Sequence, residues 1–132
     1  MFFINYKVTI SDINYGGHMG NERALILFQQ ARIDLFKSLG VSEVNVGENV
    51  GTIQKDAHVN YKGEIFLGEE LKVIVKQLNI KKTSLNFIYN VENSHGQIVL
   101  EGSTLIVAFD YKNKKIARFP LEFLKKLELD FK

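Results

Sequence analysis

The sequence predicts an α+β domain in which one long helix lies against one antiparallel sheet, and three observations carry that expectation. A helical apolar stripe fills residues 21–40, period-two runs fill residues 52–111, and the turns between those runs are too short for parallel crossovers. At 132 residues the chain suits a single domain spanning residues 1–132.

FINYKVTI, residues 3–10, alternates as a first strand should. It runs into SDINYGGHMGN, residues 11–21, which holds three glycines, a histidine, an aspartate and two asparagines. Next comes NERALILFQQARIDLFKSLG, where Ala24, Leu25, Leu27, Phe28, Ala31, Leu35, Phe36 and Leu39 keep helical spacing and Gly40 supplies a stop. Ile26 and Ile33 widen the stripe, leaving Arg23, Gln29, Gln30, Arg32, Asp34 and Lys37 as the polar side. So apolar a helix is expected to be covered on most sides. TIQKDAHVNYK, LKVIVKQLNI, TSLNFIYNV and QIVLEGSTLIVAFDY read as strands. Turn signals separate them at Leu67-Gly68-Glu69, Lys81-Lys82, Asn93-Ser94-His95-Gly96 and, after the last, Lys112-Asn113-Lys114. Pro120, the single proline, opens LEFLKKLELDFK, whose Leu121, Leu124, Leu127 and Phe131 predict a short amphipathic helix on the sheet or at a subunit contact. One sheet must curl to enclose such a helix, and its remaining face and edges need cover, which predicts a dimer or larger oligomer.

An apolar fraction of 45% and a charged fraction of 24% are those of a globular protein. Cysteine is absent, which excludes disulfides, thiolate nucleophiles and Cys-ligated zinc. No signal-peptide pattern or membrane-length apolar run stands in the sequence, so a soluble, cytoplasmic protein with no membrane partner is expected. The net charge of +2 is concentrated in residues 112–132, with seven Lys or Arg against three Asp or Glu; it forms no basic face interleaved with aromatics, so no nucleic acid partner is expected. Three histidines without HExxH or a spaced acidic cluster predict no metal site. No GxxxxGK[ST] phosphate loop and no GxSxG elbow are present. Any chemistry must therefore activate water or move protons without a covalent Ser or Cys.

Two readings of residues 11–21 stand side by side. In one, Asn21 caps the helix, the glycines satisfy turns, and Asp12 and His18 are surface groups. In the other, the helix start offers free N–H groups and partial positive charge to an oxyanion, glycines let a substrate approach the backbone, and Asp12, Asn14 and His18 supply acid, positioner and base. A second polar set, Gln54, Asp56, His58 and Asn60, is expected on one face of its strand, opposite Ile53, Ala57, Val59 and Tyr61. That face is either solvated or, at Asp56, functional. His95 lies in a turn and carries no expectation of function.

The order of elements, the run Asn14-Tyr15-Gly16-Gly17-His18-Met19-Gly20-Asn21, the helix with Gln30-Ala31-Arg32, and AHVNYKGEIFLGEELKV with STLIVAFDYKNKKIARFP resemble the hot-dog-fold acyl-CoA thioesterases of the 4-hydroxybenzoyl-CoA thioesterase superfamily. The likeness covers nearly the whole chain. It implies a curved antiparallel sheet wrapped around one long central helix, acyl-CoA as substrate partner, no cofactor, and a homodimer or homotetramer. The loop is similar to the family pattern DxxGHxxN, whose aspartate acts as base or nucleophile while N–H groups at the helix start hold the thioester carbonyl. Asn14 stands at that aspartate position, as in a subgroup with DINYGNH-like loops. Asparagine can orient water or bind a carbonyl but cannot act as a base.

The resemblance thus implies a catalytic set of Asn14, His18 and Asp56, with Asp56 reaching across a subunit interface and Glu22 and Asp12 as the other candidate acids. Gly17, Asn21, Glu22 and Tyr61 are expected to bind substrate, and Lys62, Lys81 and Lys82 to meet CoA phosphates. Two alternatives remain open: enoyl-CoA hydration, resembling a DxNPxH loop without its proline, and a non-catalytic acyl-CoA or acyl-carrier-binding module. The acyl group itself is not specified by the sequence.

Overall fold

The computed structural model describes residues 1–131. In chain order it contains β1 (Phe2–Lys7), a 3-10 turn (Ile10–Asp12), α1 (Arg23–Ser38), β2 (Gly51–Tyr61), β3 (Glu70–Ile80), β4 (Ser84–Glu92), β5 (Ile98–Asp110), β6 (Lys115–Ile116) and α2 (Leu121–Asp130). The strands form one curved antiparallel sheet in the order β1-β3-β4-β5-β2, with β6 paired to β5. This is the α+β arrangement expected from the sequence. Lys132, at the end of the expected terminal helix, lies outside the described residues.

Three differences from expectation have physical causes. The first strand stops at Lys7 because the Asp12 carboxylate accepts the Thr9 N–H at 2.9 Å and turns the chain into the 3-10 element. α1 buries one face only: Ala24, Leu27, Phe28, Ala31, Leu35 and Phe36 are covered, whereas Leu25, Ile26 and Ile33 are 36–42% exposed. Arg32, expected on the polar side, is 3% exposed and reaches through the core. Gly40 ends the helix as expected, with a Schellman pair of bonds, Gly40 N–H to Lys37 C=O and Val41 N–H to Phe36 C=O, each 3.0 Å.

The inner face of the sheet, turned toward α1, stacks Phe28 on Tyr89 with ring centroids 4.3 Å apart and sets Phe36 against Phe87 and Phe123. Phe123, Leu124 and Leu127 fasten α2 to this core, while Leu121 stays exposed. Gly102 sits where a Cβ would stand 2.5 Å from the Phe28 ring and from the His58 carbonyl, so only glycine lets the helix come this close. Sheet curvature has local sources in irregularities at Lys55 in β2 and Lys76 in β3, since a bulge bends its strand and increases twist. The Met1 ammonium donates to the Asp130 carbonyl at 3.4 Å, which brings the start of β1 beside the end of α2.

The bulge at Lys55 also overturns the expected shared face of β2. Gln54 pairs with Ile106 and Asp56 with Leu105, so Lys55 is an extra residue. Ile106 is 1% exposed on the inner face, and its neighbour Leu105 points outward; cross-strand partners share a face, so Gln54 turns inward while Asp56 and His58 turn outward.

Candidate functional site

The loop before α1 hangs from Asp12, which is 2% exposed. Its carboxylate accepts the Tyr6 hydroxyl at 2.8 and 2.9 Å, the Thr9 N–H at 2.9 Å and the Arg23 Nε–H at 3.1 Å, and Arg23 Nη2 stands 3.0 Å away. Burial pushes this carboxyl up, but the Thr9, Tyr6 and Arg23 donors outweigh it and hold Asp12 below the usual carboxylate range. The same contact, added to burial, raises the Tyr6 phenol. Asp12 is thus tied to β1, the 3-10 turn and the first residue of α1 at once, and no oxygen is left for chemistry.

Beyond this anchor the chain forms a tight hairpin. Ile13 bridges Met19, Asn14 N–H donates to the His18 carbonyl at 3.1 Å, and Gly17, with φ of +85°, donates to the Asn14 carbonyl at 3.1 Å. The Asn14 side chain accepts the Gly16 N–H at 2.8 Å, an Asx turn that shapes the hairpin. His18 leaves this hairpin half-buried, and Met19 N–H donates to the Ile65 carbonyl at 2.7 Å, joining the loop to the β2–β3 connection.

α1 then begins without a side-chain cap: its N-cap residue Glu22 has helical dihedrals and makes no capping bond. Asn21 is therefore not the expected cap. The Arg23 N–H is taken by the Gly20 carbonyl at 3.0 Å, while the preceding Asn21 and Glu22 N–H groups make no hydrogen bond among the described residues, so donors and partial positive charge stay open at the helix start. The Tyr61 hydroxyl, at the end of β2, donates to the Asn21 carbonyl at 2.6 Å and pins this start against the sheet. Between them lies a cavity of about 300 Å³ bordered by His18, Asn21, Ala24, Tyr61, Lys62 and Glu64.

The structure therefore brings His18, Asn21, Tyr61 and Lys62 to one cavity. Gly17 and Asn14 lie in the hairpin that presents His18, and Glu22 follows at the helix start with its carboxylate folded over Gly20. Asp56 and His58 border a separate depression of about 430 Å³ on the outer sheet face, with Lys81, Ser84, Asn86 and Ser103. Lys82 is exposed in the β3–β4 turn, and Lys62 pairs with Glu101 at 3.3 Å. Among the described residues no three His, Cys, Asp or Glu side chains gather as a metal site, and no helix is long and apolar enough to cross a membrane.

Two charged residues at or near the site escaped sequence reasoning. Glu64 stands in no periodic pattern; only the Met19–Ile65 bond brings it beside the loop. Arg32 donates to Glu43 at 3.0 Å, Tyr89 at 3.1 Å and Thr104 at 3.3 Å, fastening the middle of α1 to β4, β5 and the α1–β2 connection. A helical wheel marks such a residue as polar without telling a solvent face from a buried network.

Comparison with known proteins bears on the family and the fold. The chain is 28% identical to YsmA of Bacillus subtilis (strain 168) over 114 residues, 86% of this chain and 76% of that one. It is 26% identical over 128 residues to the L-carnitine dehydrogenase/betainyl-CoA thioesterase of Rhizobium meliloti (strain 1021), covering 95% of this chain and 25% of that longer protein. SAV2348 from Staphylococcus aureus, solved in complex with CoA, superposes with a TM-score of 0.88 at 18% identity, over 97% of this chain and 82% of that one. Residues 8–127 match the thioesterase-like superfamily, and the chain belongs to that superfamily as a thioester hydrolase with the hot-dog fold.

Proposed function

We propose that the protein hydrolyses an acyl-CoA thioester at the cavity between the loop and the end of β2. The observation that carries this reading is the uncapped start of α1 opening beside His18. The N–H groups around Asn21 and Glu22 hold the carbonyl oxygen as it gains charge, an arrangement in which one donor contributes about 3–4 kcal/mol to lowering the barrier. His18 orients the attacking water or takes its proton, while Asn14 and Gly17 keep the hairpin that presents it. Tyr61 holds Asn21 in place at the substrate's edge, and in this reading Lys62, which borders the cavity, exchanges its exposed Glu101 partner for a CoA phosphate. That SAV2348 was solved with CoA supports a CoA thioester as the ligand.

The site extends across a homodimer in this reading. β2 is one of the sheet's two outer strands, β1 being the other, and α1 shows Leu25, Ile26 and Ile33 to solvent. Asp56 serves as the acid only if a partner's β2 carries it to the cavity, because within one chain it faces the other way.

The test is thiol release from a panel of short, long and aromatic acyl-CoAs. The wild type releases thiol from at least one, and His18→Ala lowers kcat about 10²-fold. Acyl-CoA binding without thiol release would favour the non-catalytic module, which the absence of a carboxylate at Asn14 otherwise recommends. Consumption of an enoyl-CoA without thiol release would favour hydration.

A further inference from the structure

The geometry points to Glu64 as the carboxylate that completes this site, acting as general base toward the hydrolytic water; the inference rests on the thioesterase reading above. Among the residues bordering the cavity it is the one carboxylate. The other candidate acids are placed elsewhere. Asp12 is consumed by Tyr6, Thr9 and Arg23. Asp56 faces the outer depression. The Glu22 carboxylate occupies the space over Gly20, where a Cβ would meet its oxygens at 2.5 and 2.7 Å, and Glu22 does not border the cavity.

Position and charge both favour Glu64. His18 and Glu64 each lie one residue from the Met19 N–H to Ile65 C=O bond of 2.7 Å, so that single bond places both beside the same space. Backbone anchors stand on either side of Glu64. Gly63 N–H donates to the Val99 carbonyl at 3.2 Å, and Ile65 is 3% exposed. The Glu64 side chain itself makes no hydrogen bond or ion pair among the described residues, while Lys62, the cation beside it, is engaged by Glu101. The backbone fixes where the exposed Glu64 side chain begins, and its uncommitted carboxylate is free to accept a proton from a water held at the cavity.

The step balances without a co-reactant. Glu64 takes one proton from water as its oxygen bonds the carbonyl carbon, and the carbonyl electrons move onto the oxygen facing the α1 N–H groups. When the tetrahedral intermediate collapses, the C–S bond breaks, the departing sulfur takes the proton back from Glu64, and the new acid loses its own proton to solvent. His18 orients the water or the leaving sulfur across the cavity.

The test compares Glu64→Gln, Glu64→Ala and Asp56→Ala with wild type on an acyl-CoA the wild type hydrolyses. The expected result for Glu64→Gln is a fall in kcat of about 10²–10⁴-fold with KM within about threefold, and loss of the acid limb of the kcat profile against pH. Added formate is expected to restore part of the Glu64→Ala rate, a rescue that a structural residue would not show. Glu64→Gln at near wild-type kcat, or a fall with the acid limb kept and no formate rescue, overturns the assignment, as does a collapse confined to Asp56→Ala. A wild type that releases thiol from no acyl-CoA overturns the thioesterase reading instead.

Discussion

Asp12 and Asn14 stand two positions apart in one loop, and neither is a free catalytic group. The Asp12 carboxylate is a buried structural anion, so its value to the fold depends on pH. Its carboxyl is held below the unfolded reference of about 3.9, so the stabilisation is complete above roughly pH 5 and is lost as pH falls through the lower folded value. Asp12→Asn should lose about 1–3 kcal/mol at neutral pH, and its urea midpoint should approach that of wild type as the pH falls below the ordinary aspartate range. A gap independent of pH would refute this account. At this scale the sequence was partly readable. His18 and Tyr61 stood out through the loop pattern and the NYKGEIFLGEEL segment, and both border the cavity. Glu64 did not stand out, because a residue 46 positions from His18 is brought near it by one backbone bond that no spacing encodes.

The elements show a similar division between what periodicity encodes and what it hides. Helical spacing located α1, and alternation located the strands, because both patterns follow from burying one face. The Arg32 network hides from such patterns, since its partners lie 11, 57 and 72 residues away. Arg32→Ala should cost about 2–4 kcal/mol in chemical denaturation by removing the buried partner of Tyr89, Thr104 and Glu43 and opening a void beside Tyr89. Arg32→Met should cost less, because Tyr89 and Thr104 already hydrogen-bond each other at 2.7 Å. Equal losses in the two variants would place the contribution in the ion pair and hydrogen bonds rather than in packing. Lys55 is hidden for a different reason: an extra residue in a strand has no signature of its own, and it moved Asp56 to the outer face.

For the whole molecule, the curled sheet around one helix was readable because a helix this apolar needs a sheet to cover it. The cover is incomplete in one chain, and the free β2 edge with Leu25, Ile26 and Ile33 on α1 motivates the dimer. Light scattering should give twice the monomer mass for the wild type, and Ile26→Glu with Ile33→Glu should give monomers of reduced activity. A monomeric wild type with full activity would dismiss the shared site. The meeting of Met1 with Asp130 has a topological consequence. Residues 1 and 130 are neighbours in space, so a short linker could join them and a cut at residues 93–96 could open the chain elsewhere. Such a circular permutant would keep every strand neighbour and the loop, helix start and Glu64 in one uninterrupted piece, separating the order of the sequence from the geometry of the site.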